Sequence, residues 1–588
     1  MALCKYCEDI DPDVIWKTDM NNLEECPRLD YDLQRSSSMR LSAQNGCSGC
    51  RFFLEVLRRD ASDAEAVEDA LQRDERIWIQ APFLLTIDIG NDTSLCAAGA
   101  KGHYVTLSHC WGPDGVKFLL KKANIKQLRG TIHIQDLPKS FQDAITITRR
   151  LGLRFLWIDA VCIIQDSVED WAHESACMAE IYRNGILMIS AVAAPDSQHG
   201  ILEPRDIMRS HCFGRHKEFV FQTRDHVFDP MDAYGPLHDR GWCLQERIMA
   251  PRILHFGNQK LMWECVSQRW AEDTGFAVLE SDGLGVLGTR VSAMPFIWPP
   301  KPGLEMPAGG PSTGRLAAFY QCIDDFTKRK LTKRSDKLPA FSGLASAFQT
   351  PELGAYLAGL WEKDLIYGLN WRTKAPESDE ELSEGDEYIA PSWSWASMRG
   401  RCEVRDTRHN IVDFPLRQDY YERFKTFMGP QLLSYHIDLA TSDPYGRLSA
   451  ASITLRGYTR PLLAWLDRPQ VGWPRGVLLD RARAWGPGTV DDGCMWMFGP
   501  PHEYAPWSHY GNRDEPSESD KSKASRFVAL PVSLVFPGTG NSSTILSLLV
   551  LEPVEGLEQT YRRVGLGDVI APSEMSSFRW EQMDLTLI

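Results

Sequence analysis

Two pairs of cysteines near the start of the chain have the spacing of metal ligands. Cys4 and Cys7 form one Cys-x2-Cys pair, and Cys47 and Cys50 form a second one. Two such pairs can supply the four thiolates of a tetrahedral zinc ion, although the roughly forty residues between them exceed the gap in compact zinc fingers. Reduced, unbound thiols are therefore an alternative, and a disulfide is disfavoured in a reducing compartment. A zinc ion held by four thiolates would be structural, because no position stays open for a substrate.

Another group of polar residues follows two β-prone runs. Ser108 and His109 end one of these runs, and Asp159 ends the other. In an open parallel sheet, ligands bind beyond the carboxyl ends of the strands. Successive side chains of an extended chain point to opposite faces, so we do not expect Ser108 and His109 to form a catalytic pair. Each of them could instead contact a ligand or hydrogen-bond the backbone of the loop.

A half-buried Asp159 needs a hydrogen-bond or ion-pair partner. A ligand hydroxyl could supply it, or Arg240 could, and Arg240 could equally clamp a phosphate group. Gln245 and Glu246 follow Arg240 closely and are weaker candidates for ligand contacts.

One carboxylate interrupts the apolar face of a predicted helix that starts near Glu169. Glu174 lies three residues after Trp171 and four before Met178, so all three side chains share one face. A carboxylate in that position must meet a cleft or a buried partner. Glu174 is therefore either a candidate catalytic residue or a member of an ion pair in the core.

The elements that carry these residues alternate between strands and helices. In chain order they are a strand at 104–107, a helix that begins at Pro138, a strand at 155–158, a helix that ends at Asn184-Gly185, a strand at 186–192, a helix at 242–249 and strands at 252–256 and 260–265. This alternation is the order expected when helices cross over between parallel strands. The sequence therefore predicts an α/β domain that closes near Cys265.

Composition outside this block predicts three further regions. Residues 1–100 form a Cys-containing extension, 101–270 form the α/β domain, 271–390 form a helical linker region with an acidic, disordered loop, and 391–588 form a β-rich region. Within the last region, residues 392–397 read Ser-Trp-Ser-Trp-Ala-Ser, and this alternation predicts a half-buried strand.

Charge and cysteine usage restrict the classes of partner and compartment. The formal charge of -15, from 64 basic and 79 acidic residues, disfavours a broad phosphate-binding surface, so no nucleic-acid partner is expected. No apolar run reaches the roughly 18 residues of a membrane span, and the N-terminus lacks the apolar stretch of a signal peptide. Most of the 15 cysteines lie in apolar or helical patterns, which favours a reducing, cytoplasmic location.

Three segments resemble the heterokaryon-incompatibility (HET) domain of fungal proteins. Tyr-Val-Thr-Leu-Ser-His-Cys-Trp-Gly at 104–112 resembles its first motif, and 137–182, with Leu-Trp-Ile-Asp-Ala-Val-Cys-Ile-Ile-Gln at its centre, looks like its second. Arg-Gly-Trp-Cys-Leu-Gln-Glu-Arg at 240–247 is similar to the third, with Cys243 where Thr is more usual. The blocks cover roughly residues 104–265, and Pro-Ser-Trp-Ser-Trp-Ala at 391–396 is of a kind that accompanies such domains.

This resemblance implies a TIR-like, flavodoxin-like parallel sheet and a role in fungal allorecognition and programmed cell death. One interpretation is a signalling module that assembles with itself or with a protein partner. Because some TIR-like domains hydrolyse NAD, the alternative is a hydrolase of the nicotinamide-ribose bond, with Glu174 and Asp159 in its site and Trp111 or Trp157 stacked on a base. Those hydrolases place the glutamate four residues after a Trp, whereas Glu174 follows Trp171 by three. A HET-fold protein repurposed for another role is a third interpretation.

Overall fold

The computed structural model divides the chain into two compact units, Met1–Glu305 and Met306–Ile588. It describes residues 86–90, 93–95, 102–202, 210–213, 219–222, 235–258, 261–265, 269–271, 285–298, 311–373, 388–398, 400–404, 424, 429–465, 478–479, 495–498, 525–535, 545–570 and 580–588. The cysteine pairs of the N-terminal extension and the acidic segment 374–387 lie outside these residues. The division into four regions stays a prediction.

Unit 1 alternates strands and helices from Tyr104 to Cys265, as the sequence predicts. Its strands are β1 (Ile87–Asp88), β2 (Ser94–Leu95), β3 (Tyr104–Ser108), β4 (Phe155–Trp157), β5 (Leu187–Ser190), β6 (Ser210–Phe213), β7 (Phe219–Gln222), β8 (Arg252–Phe256), β9 (Leu261–Cys265) and β10 (Arg269–Ala271). Its helices are α1 (Ile125–Leu128), α2 (Lys139–Arg150), α3 (Asp159–Cys162), α4 (Val168–Asn184), α5 (Trp242–Met249) and α6 (Gly285–Ile297).

Eight of these strands form one sheet in the order β10-β9-β8-β5-β3-β4-β1-β2. The four central strands, β8, β5, β3 and β4, pair in parallel, and the strands at both edges pair antiparallel. Numbered along the chain, the parallel strands have the spatial order 2-1-3-4, which flavodoxin-like sheets share. The predicted α/β class with a parallel sheet is thereby confirmed. The order reverses between β3 and β5, the position where such sheets bind ligands.

Local sequence explains where the two long helices of the sheet begin and end. Pro138 precedes α2, and Gly152 follows it with a φ of 72°, a backbone conformation that glycine adopts without strain. The Ser167 hydroxyl caps α4 by accepting a hydrogen bond from the Asp170 N–H at 3.4 Å. Gly185 ends α4 and leads directly into β5. Both helices therefore run between parallel strands, as crossover connections require.

Unit 2 combines helices with a large antiparallel sheet. Its helices are α7 (Pro311–Thr327), α8 (Pro339–Phe348) and α9 (Leu365–Gly368). Its strands are β11 (Tyr356–Leu357), β12 (Leu360–Trp361), β13 (Trp371–Thr373), β14 (Cys402–Val404), β15 (Gln431–Leu439), β16 (Leu448–Trp465), β17 (Leu478–Leu479), β18 (Met495–Phe498), β19 (Ser525–Val535), β20 (Ile545–Pro553), β21 (Thr560–Ile570) and β22 (Glu581–Leu587). The predicted β-rich character of the C-terminal region is confirmed.

The large sheet of unit 2 has the order β15-β16-β19-β20-β21-β17. β22 pairs with both β16 and β21, so strands β16, β19, β20, β21 and β22 form a continuous ring of pairings. β15 lies outside this ring and pairs with β16. The sheet is therefore closed by β22 along one part of its length and open at β15.

The prediction of a strand at residues 392–397 is wrong, because this segment forms turns and a short 3-10 helix, Trp395–Ser397. Trp393 and Trp395 are both fully buried, although an alternating strand would expose one face. The Ser394 hydroxyl accepts from the Ala396 N–H at 3.0 Å, which stabilises the tight turn. The Trp395 indole N–H donates to the carbonyl of Gly359 at 2.9 Å. Local side-chain bonds of Ser thus override the two-residue period.

Among the described residues, no helix combines the length and the apolar character needed to cross a membrane.

Replacing Trp157 of β4 by Ala should destabilise unit 1 by about 3–5 kcal/mol, because it leaves a cavity beneath the sheet. Trp157 is fully buried, and its ring lies edge-on to Tyr182 at 5.6 Å. Trp157→Phe is the matched control: it keeps a ring beside Tyr182 and removes an indole N–H that has no acceptor in the structure. Hydrogen exchange of the β3, β4 and β5 amides measures both effects, and equal losses would contradict the cavity argument.

Candidate functional site

The polar residues of the three sequence motifs meet at the carboxyl ends of the parallel strands. Ser108 is the last residue of β3, and Asp159 opens α3 directly after β4. Arg240 precedes α5, and that helix carries Glu246. We call Ser108, His109, Asp159, Arg240 and Glu246 the motif cluster. Segments more than a hundred residues apart are thus joined in one small volume.

His109 is held on both sides of its ring by oxygen atoms. Its Nε2 lies 2.9 Å from Oδ1 of Asp159, and its Nδ1 lies 3.1 Å from the carbonyl oxygen of Cys110. Both of these oxygens can only accept hydrogen bonds. The ring also packs edge-on against Phe141 of α2 at 4.9 Å. Both ring nitrogens of His109 are thus occupied by contacts within the protein.

Asp159 is the acceptor at the centre of the cluster. Its Oδ2 accepts from the Trp111 indole N–H at 2.8 Å, and its Oδ1 accepts from the Ala160 N–H at 2.7 Å. Burial raises the pKa of this carboxyl, but His109, the Arg240 charge and the Trp111 bond together lower it below its usual value. Asp159 is therefore an ionised, fully hydrogen-bonded acceptor.

Arg240 takes a different position from the ion pair with Asp159 that the sequence suggested. Its Nη1 donates to the backbone carbonyl of His109, and its charge acts on Asp159 without a direct ion pair. This contact ties the segment before α5 to the loop after β3. The guanidinium is half-buried and has no other hydrogen bond with the described residues.

Ser108 faces the other side of the sheet from His109. Its hydroxyl donates to Oε2 of Glu246 and lies 3.7 Å from the Cys243 sulfur. Burial raises the pKa of Glu246, and neither Arg240 nor the Ser108 bond fully offsets that effect. The two neighbours Ser108 and His109 therefore contact different helices and do not form a pair, in agreement with the alternation of an extended chain.

The remaining candidate residues, Gln245 and two tryptophans, differ in how far they are exposed. Gln245 is completely buried beside Glu246, so a ligand cannot reach it without opening the helix. Trp111 is half-exposed, whereas Trp157 is fully buried and cannot stack on a ligand base. Of the two tryptophans suggested for stacking, only Trp111 keeps that option.

Glu174 lies on α4 and is 5% exposed. Among the described residues it has no ion pair and no hydrogen bond from a cation, and burial together with the nearby Asp170 raises its pKa to about 7. The neighbouring turn carries Trp171, which packs edge-on against Trp242 at 6.2 Å. Glu174 is thus an uncompensated carboxylate rather than a member of a buried ion pair.

A second buried network lies beneath the same sheet, and sequence reasoning did not find it. His255 of β8 lies 3.2 Å from the Ser190 hydroxyl and 3.1 Å from Glu264 of β9. Glu264 also accepts from Arg247 at 2.9 Å and lies 3.6 Å from Arg290. The signal was a single polar residue inside each of two short apolar strands, Arg-Ile-Leu-His-Phe and Leu-Met-Trp-Glu-Cys.

This Ser-His-Glu series does not have the geometry of a hydrolase triad. The hydroxyl of Ser190 faces Nδ1, and two arginines hold the Glu264 carboxylate. Burial and the two arginine charges lower the pKa of His255 against the opposing effect of Glu264. All members are less than a tenth exposed, so the network joins α5 and α6 to the sheet.

No group of His, Cys, Asp and Glu side chains within the described part of the chain could hold a metal ion. Cys4, Cys7, Cys47 and Cys50 lie outside that part, and their zinc site stays a prediction.

Asp159→Asn should destabilise unit 1 near neutral pH, whereas Glu246→Gln should not. The folded state lowers the pKa of Asp159, so its carboxylate contributes stability above about pH 4 that is lost as the pH falls through the folded pKa. The folded state raises the pKa of Glu246, so ionising that group costs stability as the pH rises above about 4.5.

We expect Asp159→Asn to cost about 1.5–3 kcal/mol at pH 7, and Glu246→Gln to be neutral or stabilising. Hydrogen exchange of the β3 and β4 amides at several pH values measures both. Asp136→Asn, at an exposed position, is the control for the substitution itself. A loss of the same size for both cluster variants at pH 7 would contradict the assigned charge states.

Comparison with known proteins gives one match. Residues 104–246 match the family model described as heterokaryon incompatibility protein (HET), and this range contains every member of the motif cluster. No curated protein and no solved structure matches the chain significantly. The chain therefore contains a HET domain, at residues 104–246.

Proposed function

We propose that this protein is a heterokaryon-incompatibility-type signalling protein that acts in the fungal cytoplasm, in allorecognition and programmed cell death. The observation that supports this most directly is the convergence of all three HET motifs in one cluster whose polar groups bind each other. His109 offers no free nitrogen, Ser108 is bound to Glu246, and Asp159 accepts three hydrogen bonds. Side chains whose hydrogen-bonding atoms are bound to one another are suited to fixing the shape of a surface rather than to reacting with a substrate.

The motif cluster fixes the loop after β3, where Trp111 is partly accessible. Asp159 holds this loop through Trp111 and His109, and Arg240 holds it through a backbone carbonyl. A loop fixed from two sides presents a constant shape to a protein partner or to a second HET domain. Recognition by assembly is the mode of signalling that this arrangement favours, and unit 2 would sense or regulate it.

Induced expression of the wild-type chain in a fungal host should reduce viability, and Asp159→Asn should abolish most of that effect. The reason is that Asn cannot accept all three hydrogen bonds, so the loop loses its fixed shape. Colony counts after induction measure death, and immunoblots match the amount of soluble protein.

Asp136→Asn is the matched control, since it makes the same chemical change at an exposed position of the same domain. Equal killing by Asp159→Asn at equal abundance would show that the motif cluster is not needed for signalling. Normal growth with abundant wild-type chain would favour a HET-fold protein repurposed for another role.

A second candidate function is hydrolysis of NAD, and Glu174 is the observation that favours it. Burying a carboxylate without a cationic partner costs folding free energy and raises its pKa. Carboxyl groups with such raised pKa values are concentrated at functional sites. Water would add to the ribose carbon while its bond to nicotinamide breaks; the leaving nicotinamide would take the bonding electrons, and the proton lost by the water would pass to solvent. An ionised Glu174 would stabilise the positive charge that develops on the ribose. The 2-1-3-4 strand order is compatible with the TIR-like fold of such hydrolases.

Glu174→Gln should prevent NAD loss if this second function holds, because the amide cannot balance the positive charge. Glu180→Gln is the matched control on the same helix, where the side chain is 63% exposed. NAD content and viability are followed together after induction.

The pKa of about 7 adds a pH signature, since NAD cleavage by purified protein should rise as the pH increases through 7. Death without NAD loss in the wild type would reject the hydrolase and leave the signalling module.

A further inference from the structure

β15 of unit 2 is an edge strand with apolar side chains on its surface. Among the described strands, β16 is its only neighbour. Tyr435 is 45% exposed and Leu439 is 41% exposed, and Ile437 between them is partly exposed. The unpaired backbone groups of such an edge can bind a further strand.

Proteins usually protect an exposed edge with Lys, Pro or an unpaired charge. β15 has none of these, because its sequence Gln-Leu-Leu-Ser-Tyr-His-Ile-Asp-Leu contains neither Lys nor Pro. The strand contains one His and one Asp, and Nε2 of His436 lies 2.9 Å from Oδ2 of Asp438. The strand therefore has no Lys or Arg, and its one carboxylate already has a hydrogen-bond partner on the same strand.

The part of β15 that can accept a partner is regular. One bulge places Leu433 out of register on β15, and the second irregularity places the extra residue, Ser449, on β16. From Ser434 to Leu439 the strand therefore has no inserted residue. A bulge-free run of this length is sufficient for antiparallel pairing with a second strand.

We propose that β15 binds β15 of a second copy of this chain in antiparallel register, with the twofold axis at Ile437. In this register His436 faces the partner's Asp438, and Asp438 faces the partner's His436. Tyr435 faces the partner's Leu439, and the two Ile437 side chains face each other. Imidazole faces carboxylate and apolar groups face apolar groups across the interface, and each such pair is stabilising. Shifting the register by one residue in either direction loses the His–Asp match.

The sheet continues through this interface without a change of face. Tyr435 lies opposite Ile453, and Ile437 lies opposite Ala451, and both β16 residues are buried. Tyr435 is exposed because the sheet ends beside it. A second copy would extend the buried row by one more apolar residue on each side, which removes apolar surface from water.

One strand pair buries little area compared with the roughly 1,200–2,000 Å² of a stable complex, so the self-association is weak and depends on concentration. Such an interface responds to local enrichment of the chain. It involves unit 2 alone and does not rest on the signalling or hydrolase function of the HET domain.

Charge reversal along β15 tests the register in the full chain. His436→Asp gives a strand with two acidic residues, and Asp438→Lys gives a strand with His and Lys. Each variant alone should lose self-association in sedimentation velocity up to about 100 µM, because like or unmatched groups then face each other. Both positions are exposed, so folding should be unaffected.

The two single variants should associate with each other when mixed, and the double variant with both changes should associate with itself as the wild type does. Leu557→Asp, at an exposed apolar residue outside β15, is the control and should behave as the wild type. A wild type that stays monomeric throughout the range overturns the proposal. Single variants that associate as strongly as the wild type also overturn it, because a different surface would then be responsible.

Discussion

The hydrogen bonds of the Asp159 carboxylate are the interaction on which the HET domain depends. This one group binds the His109 ring, the Trp111 indole and the start of α3. His109 in turn offers its carbonyl to Arg240, so the three motifs form one connected set. Removing an acceptor from such a set leaves several buried donors without partners, which costs more than the bonds themselves contribute. The shape of the loop after β3 therefore follows from one ionised side chain.

Helix α5 places buried ionisable side chains against two positions on the sheet. Glu246 binds Ser108 at the end of β3, and the next residue, Arg247, binds Glu264 on β9. Arg290 of α6 donates to the carbonyls of Arg247 and Ala250, which end α5 without internal partners. Glu264 thus has two cationic partners, as a buried carboxylate requires, whereas Glu246 has, in the described part of the chain, only the Ser108 hydroxyl as its donor. Among the described residues, Glu174 has no ion pair with a cation, and that contrast with Glu264 gives it functional interest.

Unit 2 achieves its order by other means. Its core depends on aromatic packing, in which Trp395 contacts Phe341 and Phe326 at ring distances of 5.3 and 5.9 Å. Gly359, with a φ of 100°, lets Trp395 approach closer than any side chain would allow. The ring of strand pairings satisfies the backbone of most of the sheet, and β15 is left at its boundary. Tight packing inside and an open edge outside are independent features of this unit.

The sequence by itself determined the α/β class, the limits of α2, α4 and α5, and the HET family, because periodicity, caps and short motifs are local signals. It also placed Ser108, His109 and Asp159 at strand ends.

Only the tertiary structure decided which of these side chains bind each other. Asp159 hydrogen-bonds to His109 and Trp111 and forms no direct ion pair with Arg240. The 392–397 segment forms turns instead of a strand. The network of Ser190, His255 and Glu264 was not predicted from the sequence. The hydrogen-bond partners of these side chains depend on the order and register of the strands in the sheet. The sequence pattern does not specify which distant segments become neighbours.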